Sequence, residues 1–206
     1  CGIRKDDHHL ECWGKSDAFG EVSGHPQNVP VKAASLGHWY GCAIRESDSR
    51  LLCWGDDRYG QVSDAPSEPV SVIMANYRSA CAVLADSGEA RCWGNTEVYG
   101  VGYGDPPAGS FVDVSITGSA ACALDHDGYP VCWAGSSLPP SMRYKDILLA
   151  CAIRADNDEV VCFGSNDDGQ ISDIPPGPFD RLVRSGAGEV CAQRYDGSIE
   201  CWGKDN

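Results

Sequence analysis

The chain has 206 residues, 42% of them apolar and 22% charged, a composition that excludes a disordered segment. Thirty acidic residues against 16 basic ones give a formal net charge of −14, and no basic run exceeds Arg4-Lys5. That excludes a nucleic-acid surface, which needs clustered Lys and Arg, and the longest apolar run, Ile147 to Ile153, is far short of the ~18 residues of a membrane span.

The chain opens at Cys1, inside a repeat and not at a Met, and reads as a mature or trimmed product. A bacterial lipoprotein also matures to an N-terminal Cys, but the repeat already accounts for Cys1. The twelve cysteines fall into six pairs, each separated by nine or ten residues, and the first members advance by 41, 39, 41, 29 and 40 residues. A fixed period of this size marks a repeat architecture. The repeats start near Cys1, Cys42, Cys81, Cys122, Cys151 and Cys191, within one domain spanning 1–206.

In sequence order, the first repeat runs from Cys1 to Cys12, then Trp13-Gly14, a polar turn holding Phe19, and a strand from Val31 to Gly37. The second reads Cys42-Ala43-Ile44-Arg45, a polar turn, and Arg50-Leu51-Leu52-Cys53-Trp54-Gly55. Its next turn, Asp56 to Val62, leads through Asp64-Ala65-Pro66 to the strand from Val70 to Ala75. The third pairs Cys81 with Cys92 around Ser87-Gly88, carries Tyr99 in its turn and leads to the strand Val112 to Gly118. The fourth pairs Cys122 with Cys132 around Asp127-Gly128 and is short. Ala134 precedes Gly135, and the run to Pro140 skips the Gly-Gln element, so this blade is expected to lack its outer strand. The fifth pairs Cys151 with Cys162, has Phe163 in place of Trp, and carries Asp167-Asp168-Gly169-Gln170. The sixth pairs Cys191 with Cys201 around Asp196-Gly197.

Each pair brackets two short β-prone runs and a polar turn, and Asp-Gly is a strong hairpin signal. A unit that must build itself bonds its own two cysteines, opposite each other on adjacent strands. The pattern predicts Cys1–Cys12, Cys42–Cys53, Cys81–Cys92, Cys122–Cys132, Cys151–Cys162 and Cys191–Cys201, and an oxidising compartment. Zinc is not expected: no two cysteines stand at ligand spacing, and His8, His9, His25, His38 and His126 ignore the period. No cofactor is expected. No segment sustains a helical period, so the fold is all-β. Such units cannot bury their own faces, and stacking around an axis gives a β-propeller, with the aromatic after each second Cys packed between blades. Six hairpins follow only five apolar strands, so the blade of Cys1 lacks one. Self-association through that open blade is one way to complete it.

The run Cys-Ala-Ile … Cys-Trp-Gly-Asp-Asp-Arg-Tyr-Gly-Gln-Val resembles repeats of the regulator-of-chromosome-condensation family. It is similar also to two secreted relatives, the bacterial β-lactamase-inhibitor propeller and the ectodomain of Crinkly-type plant receptor kinases. The resemblance covers all 206 residues and implies a propeller of six blades, or seven if the sequence is a fragment. Nucleotide exchange and nucleosome binding, the namesake activities, are rejected on acidity and disulfides. In the inhibitor relatives, aromatics before the Ala-Leu strand meet the partner. The matching positions here are Trp39, Tyr40, Tyr77 and Arg78, with only Ser119, Ala150 and Glu189 in later units. The turns after Trp-Gly add Phe19, Tyr59 and Tyr99.

No nucleophile elbow, zinc-protease motif, phosphate loop or Ca²⁺ loop is present, and Asp56-Asp57 and Asp167-Asp168 sit where turns favour Asp, so no enzyme is expected. The expected function is an extracellular module, secreted or on a cell-surface ectodomain, that binds a protein or peptide through loops on one face. The alternatives are a structural subunit of an extracellular assembly closed by strand exchange, and a carbohydrate-binding propeller. No Asn-x-Ser/Thr sequon occurs.

Overall fold

The computed structural model describes residues 1–15, 17–95, 104–117, 120–135, 138–148, 151–163, 171–183 and 189–203. Those residues form six small antiparallel sheets, one per repeat, and no helix. Blade 1 has two strands, β1 (Gly2–Ile3) and β2 (Leu10–Glu11). Five blades have three strands, adjacent in sequence order or its reverse. Blade 2 is β3 (Val31–Leu36), β4 (Tyr40–Arg45) and β5 (Leu51–Gly55); blade 3 is β6 (Val70–Ala75), β7 (Ser79–Leu84) and β8 (Ala90–Gly94). Blade 4 is β9 (Phe111–Ile116), β10 (Ala121–Asp125) and β11 (Pro130–Ala134). Blade 5 is β12 (Tyr144–Leu148), β13 (Cys151–Arg154) and β14 (Val160–Cys162), and blade 6 is β15 (Arg181–Val183), β16 (Glu189–Gln193) and β17 (Ile199–Gly203).

The six disulfides connect the cysteines as the spacing predicts. In blades 2 to 6 the two cysteines face each other in register across the second and third strands. Cα–Cα distances are 4.0–4.1 Å throughout. Direct opposition is what a hairpin of this length provides when its turn is closed by a residue with positive φ. Gly88, Gly128 and Gly197 fill that position at φ 73°, 84° and 88°, and His8, Ser49 and Asp158 do so at 57°, 61° and 60°.

The same turn residue fastens one blade to the next. Its carbonyl accepts the N–H of the residue that opens the following inner strand segment: His8 from Val31, Ser49 from Val70, Gly88 from Phe111, Gly128 from Tyr144 and Asp158 from Phe179, all at 2.8–2.9 Å. The apolar cores lie between blades. Leu10 of blade 1 packs with Val31, Ala43 and Trp54 of blade 2. Tyr40, Cys42 and Ile44 of blade 2 pack with Val70, Ile73 and Trp93 of blade 3. Three further clusters join blades 3 to 4, 4 to 5 and 5 to 6. Blades 2 to 5 therefore bury both faces only through their neighbours.

Trp54, Trp93 and Trp202 are buried at these junctions, whereas the equivalent Trp13 in blade 1 is 70% exposed. The short fourth repeat does not cost blade 4 a strand. In repeats 1 and 2 the segment after Trp-Gly is a turn and not a strand, and blade 4 keeps the three strands β9, β10 and β11.

Candidate functional site

Two sets of turns share one end of the blades: those joining the first and second strands, and those following Trp-Gly. Between β3 and β4 the turn Gly37-His38-Trp39 closes through Gly37 N–H to Tyr40 O at 2.9 Å, with Trp39 at φ 69°. A left-handed conformation is strained for a large side chain. It is held by Trp39 O, which accepts the N–H of Asp56 at 2.7 Å. Between β6 and β7 the turn Asn76-Tyr77-Arg78 stands in the equivalent place.

The turns after Trp-Gly are fixed by carboxylates. Asp57 Oδ1 accepts the N–H groups of Val62 and Ser63 at 2.8 and 2.9 Å, and Asp17 Oδ1 accepts those of Val22 and Ser23 at the same two distances. Hydrogen bonds from Ser63 hold the Asp57 carboxyl below its ordinary pKa, and those from Ser23 do the same for Asp17. Asp56 is buried and accepts Arg58 Nε at 2.8 Å and Nη2 at 3.0 Å, which keeps its carboxyl low as well. The acidic pair Asp56-Asp57 is thus occupied by its own turn.

These turns place a stacked ladder across blades 1, 2 and 3. Phe19 lies 5.1 Å from Trp39, Trp39 stacks on His38 at 3.8 Å, and His38 stacks on Tyr77 at 4.5 Å, ring centroid to centroid. The Arg58 guanidinium lies 4.5 Å from the Phe19 ring centre and 5.3 Å from that of Trp39. The Arg78 guanidinium lies 4.9 Å from Tyr59 and 5.0 Å from Tyr77, and its Nη1 donates to the Tyr59 hydroxyl at 3.0 Å. The arrangement repeats: Phe19 meets Trp39 as Tyr59 meets Arg78, each a turn residue of one blade against the tip of the next. Phe19, Tyr59 and Tyr77 keep 37–39% of their surface in solvent.

Of the residues singled out from sequence, the structure brings together Phe19, Trp39, Tyr59, Tyr77 and Arg78. Tyr40 is a correction. It is 2% exposed, shares the core with Cys42 and Ile44, and donates its hydroxyl to Ser79 O at 2.6 Å, so it presents no surface to a partner. Tyr99, Ser119, Ala150 and the side chain of Glu189 lie outside the described residues. His38 and Arg58, two rungs of the ladder, are not among the residues that the sequence singles out. Among the described residues no group of three or more His, Cys, Asp or Glu is arranged to hold a metal ion.

Neither a scan against protein-family models nor a search of curated proteins finds a match. Solved structures do. The ectodomain of the receptor kinase CR4 from Physcomitrella patens superposes with a TM-score of 0.80 at 23% identity, over 98% of this chain and 60% of that one. The CRINKLY WD40 ectodomain of the Arabidopsis thaliana receptor kinase ACR4 gives 0.78 at 21% identity, over 98% of this chain and 76% of that one. Yeast RCC1 (Prp20) gives 0.61 at 17% identity, over 84% of this chain and 56% of that one.

The chain has the fold of an RCC1-like β-propeller. The repeat resemblance read from the cysteines and Trp-Gly is therefore matched in three dimensions. This propeller spans 60% of the moss ectodomain it is similar to. Six disulfides point to an oxidising setting.

Proposed function

We propose that this propeller is an extracellular interaction module that holds a protein or peptide partner against the ladder of Phe19, Trp39, His38, Tyr77, Arg78 and Tyr59. The observation that carries this reading is the ladder's continuity across three blades, with Arg stacked on aromatics and partly exposed ring edges. Tyr, Trp and Arg dominate interface hot spots because they bring large, pre-ordered contact area with little entropy to lose. The receptor-ectodomain fold supports the same reading. A carbohydrate site is less well matched, since sugars stack on open ring faces and here Arg58, Arg78 and His38 cover them.

Panning a random peptide library against the immobilised propeller tests the proposal. Selected peptides are expected to lose about tenfold or more in affinity on Tyr77→Ala or Phe19→Ala, and little on Tyr195→Ala, which lies in a turn at the other end of the blades. Binding untouched by Tyr77→Ala and Phe19→Ala overturns it.

A second reading, a subunit of an extracellular assembly, is favoured by Trp13, exposed where Trp54, Trp93 and Trp202 are buried. Concentration-dependent sedimentation that disappears in Trp13→Ser would support it, and a monomer at all concentrations would not.

A further inference from the structure

The ladder's two guanidinium groups are not equivalent. Arg58 is neutralised by the buried carboxylate of Asp56. Arg78 lies between the rings of Tyr59 and Tyr77, and among the described residues no carboxylate lies within 4.0 Å of it. Its Nη1 uses one donor on the Tyr59 hydroxyl, and its Nε is buried with no hydrogen-bond partner among the described residues. A guanidinium has five N–H donors in a planar fork. Partial desolvation between two phenol rings weakens its hydration and strengthens any ion pair it makes. In a protein of net charge −14, Arg78 has no counter-charge among the described residues.

We infer that Arg78 is the anchor for a carboxylate on the partner, supplied by an Asp or Glu residue or by a free C-terminal carboxylate. This inference rests on the peptide-binding reading and gives its chemistry. The Nη1 and Nη2 end of the fork matches a planar carboxylate, and the flanking rings Tyr59 and Tyr77 pack the atoms that carry it. A phosphate fits less well: phosphate recognition gathers several Arg, and Arg58 is already occupied. The net negative charge also repels a dianion more strongly than a singly charged group.

The test is a nuclear magnetic resonance titration of the intact protein, following the Arg78 Nε–H and the ring protons of Tyr59 and Tyr77. The probes are N-acetylglycine for a C-terminal carboxylate, the N-acetyl, methylamide derivative of aspartate for the carboxylate of an acidic residue, N-acetylglycine amide as the neutral control, and inorganic phosphate. One or both carboxylates are expected to give saturable shifts, the amide none, and phosphate weaker ones. In Arg78→Gln the ring shifts on adding carboxylate are expected to vanish. An equal response to the amide, stronger binding of phosphate, saturation unchanged in Arg78→Gln, or no saturable response to either carboxylate overturns the inference. Panned peptides separate this failure from that of the function reading. Peptides that need Tyr77 and lose roughly 10- to 100-fold when their acid is amidated support the carboxylate anchor. Peptides that need Tyr77 but tolerate both amidation and Arg78→Gln overturn the anchor and leave the binding face standing.

Discussion

The indole N–H of Trp93 donates to the backbone carbonyl of Gln61, 32 residues earlier and one blade back, at 2.9 Å. Trp54 makes the same bond to Glu21 O at 3.0 Å. Each bond ties the body of one blade to the turn that builds the ladder on the blade before it. Trp54 and Trp93 therefore pack their junctions and also set the height of the neighbouring turn.

Trp93→Phe keeps an aromatic ring at the junction, loses part of the indole's volume and leaves the Gln61 carbonyl without its donor. It is expected to cost about 1–3 kcal/mol in urea unfolding under oxidising conditions. Trp13→Phe, at the exposed position, is expected to cost less than about 0.5 kcal/mol. Equal losses at the two positions would remove the hydrogen bond from the account.

The disulfides and the Trp column are legible in the sequence because both impose a fixed spacing on one short segment. A bond between opposed cysteines fixes register, and register fixes which side chains face the next blade. The carbonyls of His8, Ser49, Gly88, Gly128 and Asp158 that join successive blades are not legible, because a backbone acceptor leaves no residue type behind. Tyr40 is misplaced by its likeness to a loop aromatic although a signal exists. Counting back by two from Ile44 through Cys42 reaches Tyr40, which puts all three on one buried face of β4. His38 and Arg58 escape because their contacts join turns of different blades, and such contacts depend on blade stagger.

Gly128 has φ 84°, and a Cβ there would sit 2.6 Å from the carbonyl oxygen of Tyr144, which opens β12. Gly197 has a similar φ of 88°, but the nearest atom to its Cβ would be the end of Gln193 at 3.9 Å. Gly197→Ala is expected to cost only left-handed strain, about 1–2 kcal/mol. Gly128→Ala adds a backbone clash at the junction of blades 4 and 5 and is expected to lose more, by thermal melting. The reverse order would mean that the junction bond from Tyr144 N–H to Gly128 O contributes little.

Tyr40→Phe separates the core from the face. Removing the hydroxyl takes a donor from Ser79 O inside the junction of blades 2 and 3, at an expected cost of about 1 kcal/mol. Affinity for a panned peptide is expected to stay within about twofold, since Tyr40 offers no exposed surface. A stable variant with lost binding would return Tyr40 to the recognition face.

Asp113 and Asp146 occupy the same register position on the inner strands of blades 4 and 5. Asp113 Oδ1 accepts the N–H of Val114 at 2.8 Å, and Asp146 Oδ2 accepts that of Leu182, in blade 6, at 2.6 Å. Burial, reinforced by the charge of Asp146, pushes the Asp113 carboxyl up to about 7, and burial raises Asp146 too, against the opposing pull of Lys145 and Arg181. A carboxyl whose folded pKa lies above its unfolded value favours the native state while protonated. That contribution is whole below about pH 4 and is lost as pH rises towards about 7. The propeller is therefore expected to melt lower at pH 7.5 than at pH 5, by about 2–4 °C for each kcal/mol lost. Asp113→Asn keeps an oxygen for the strand N–H groups and cannot ionise, so its melting temperature should change less over the same interval and exceed that of the parent protein at pH 7.5. Parallel pH profiles for the two proteins would show that Asp113 does not titrate in this window.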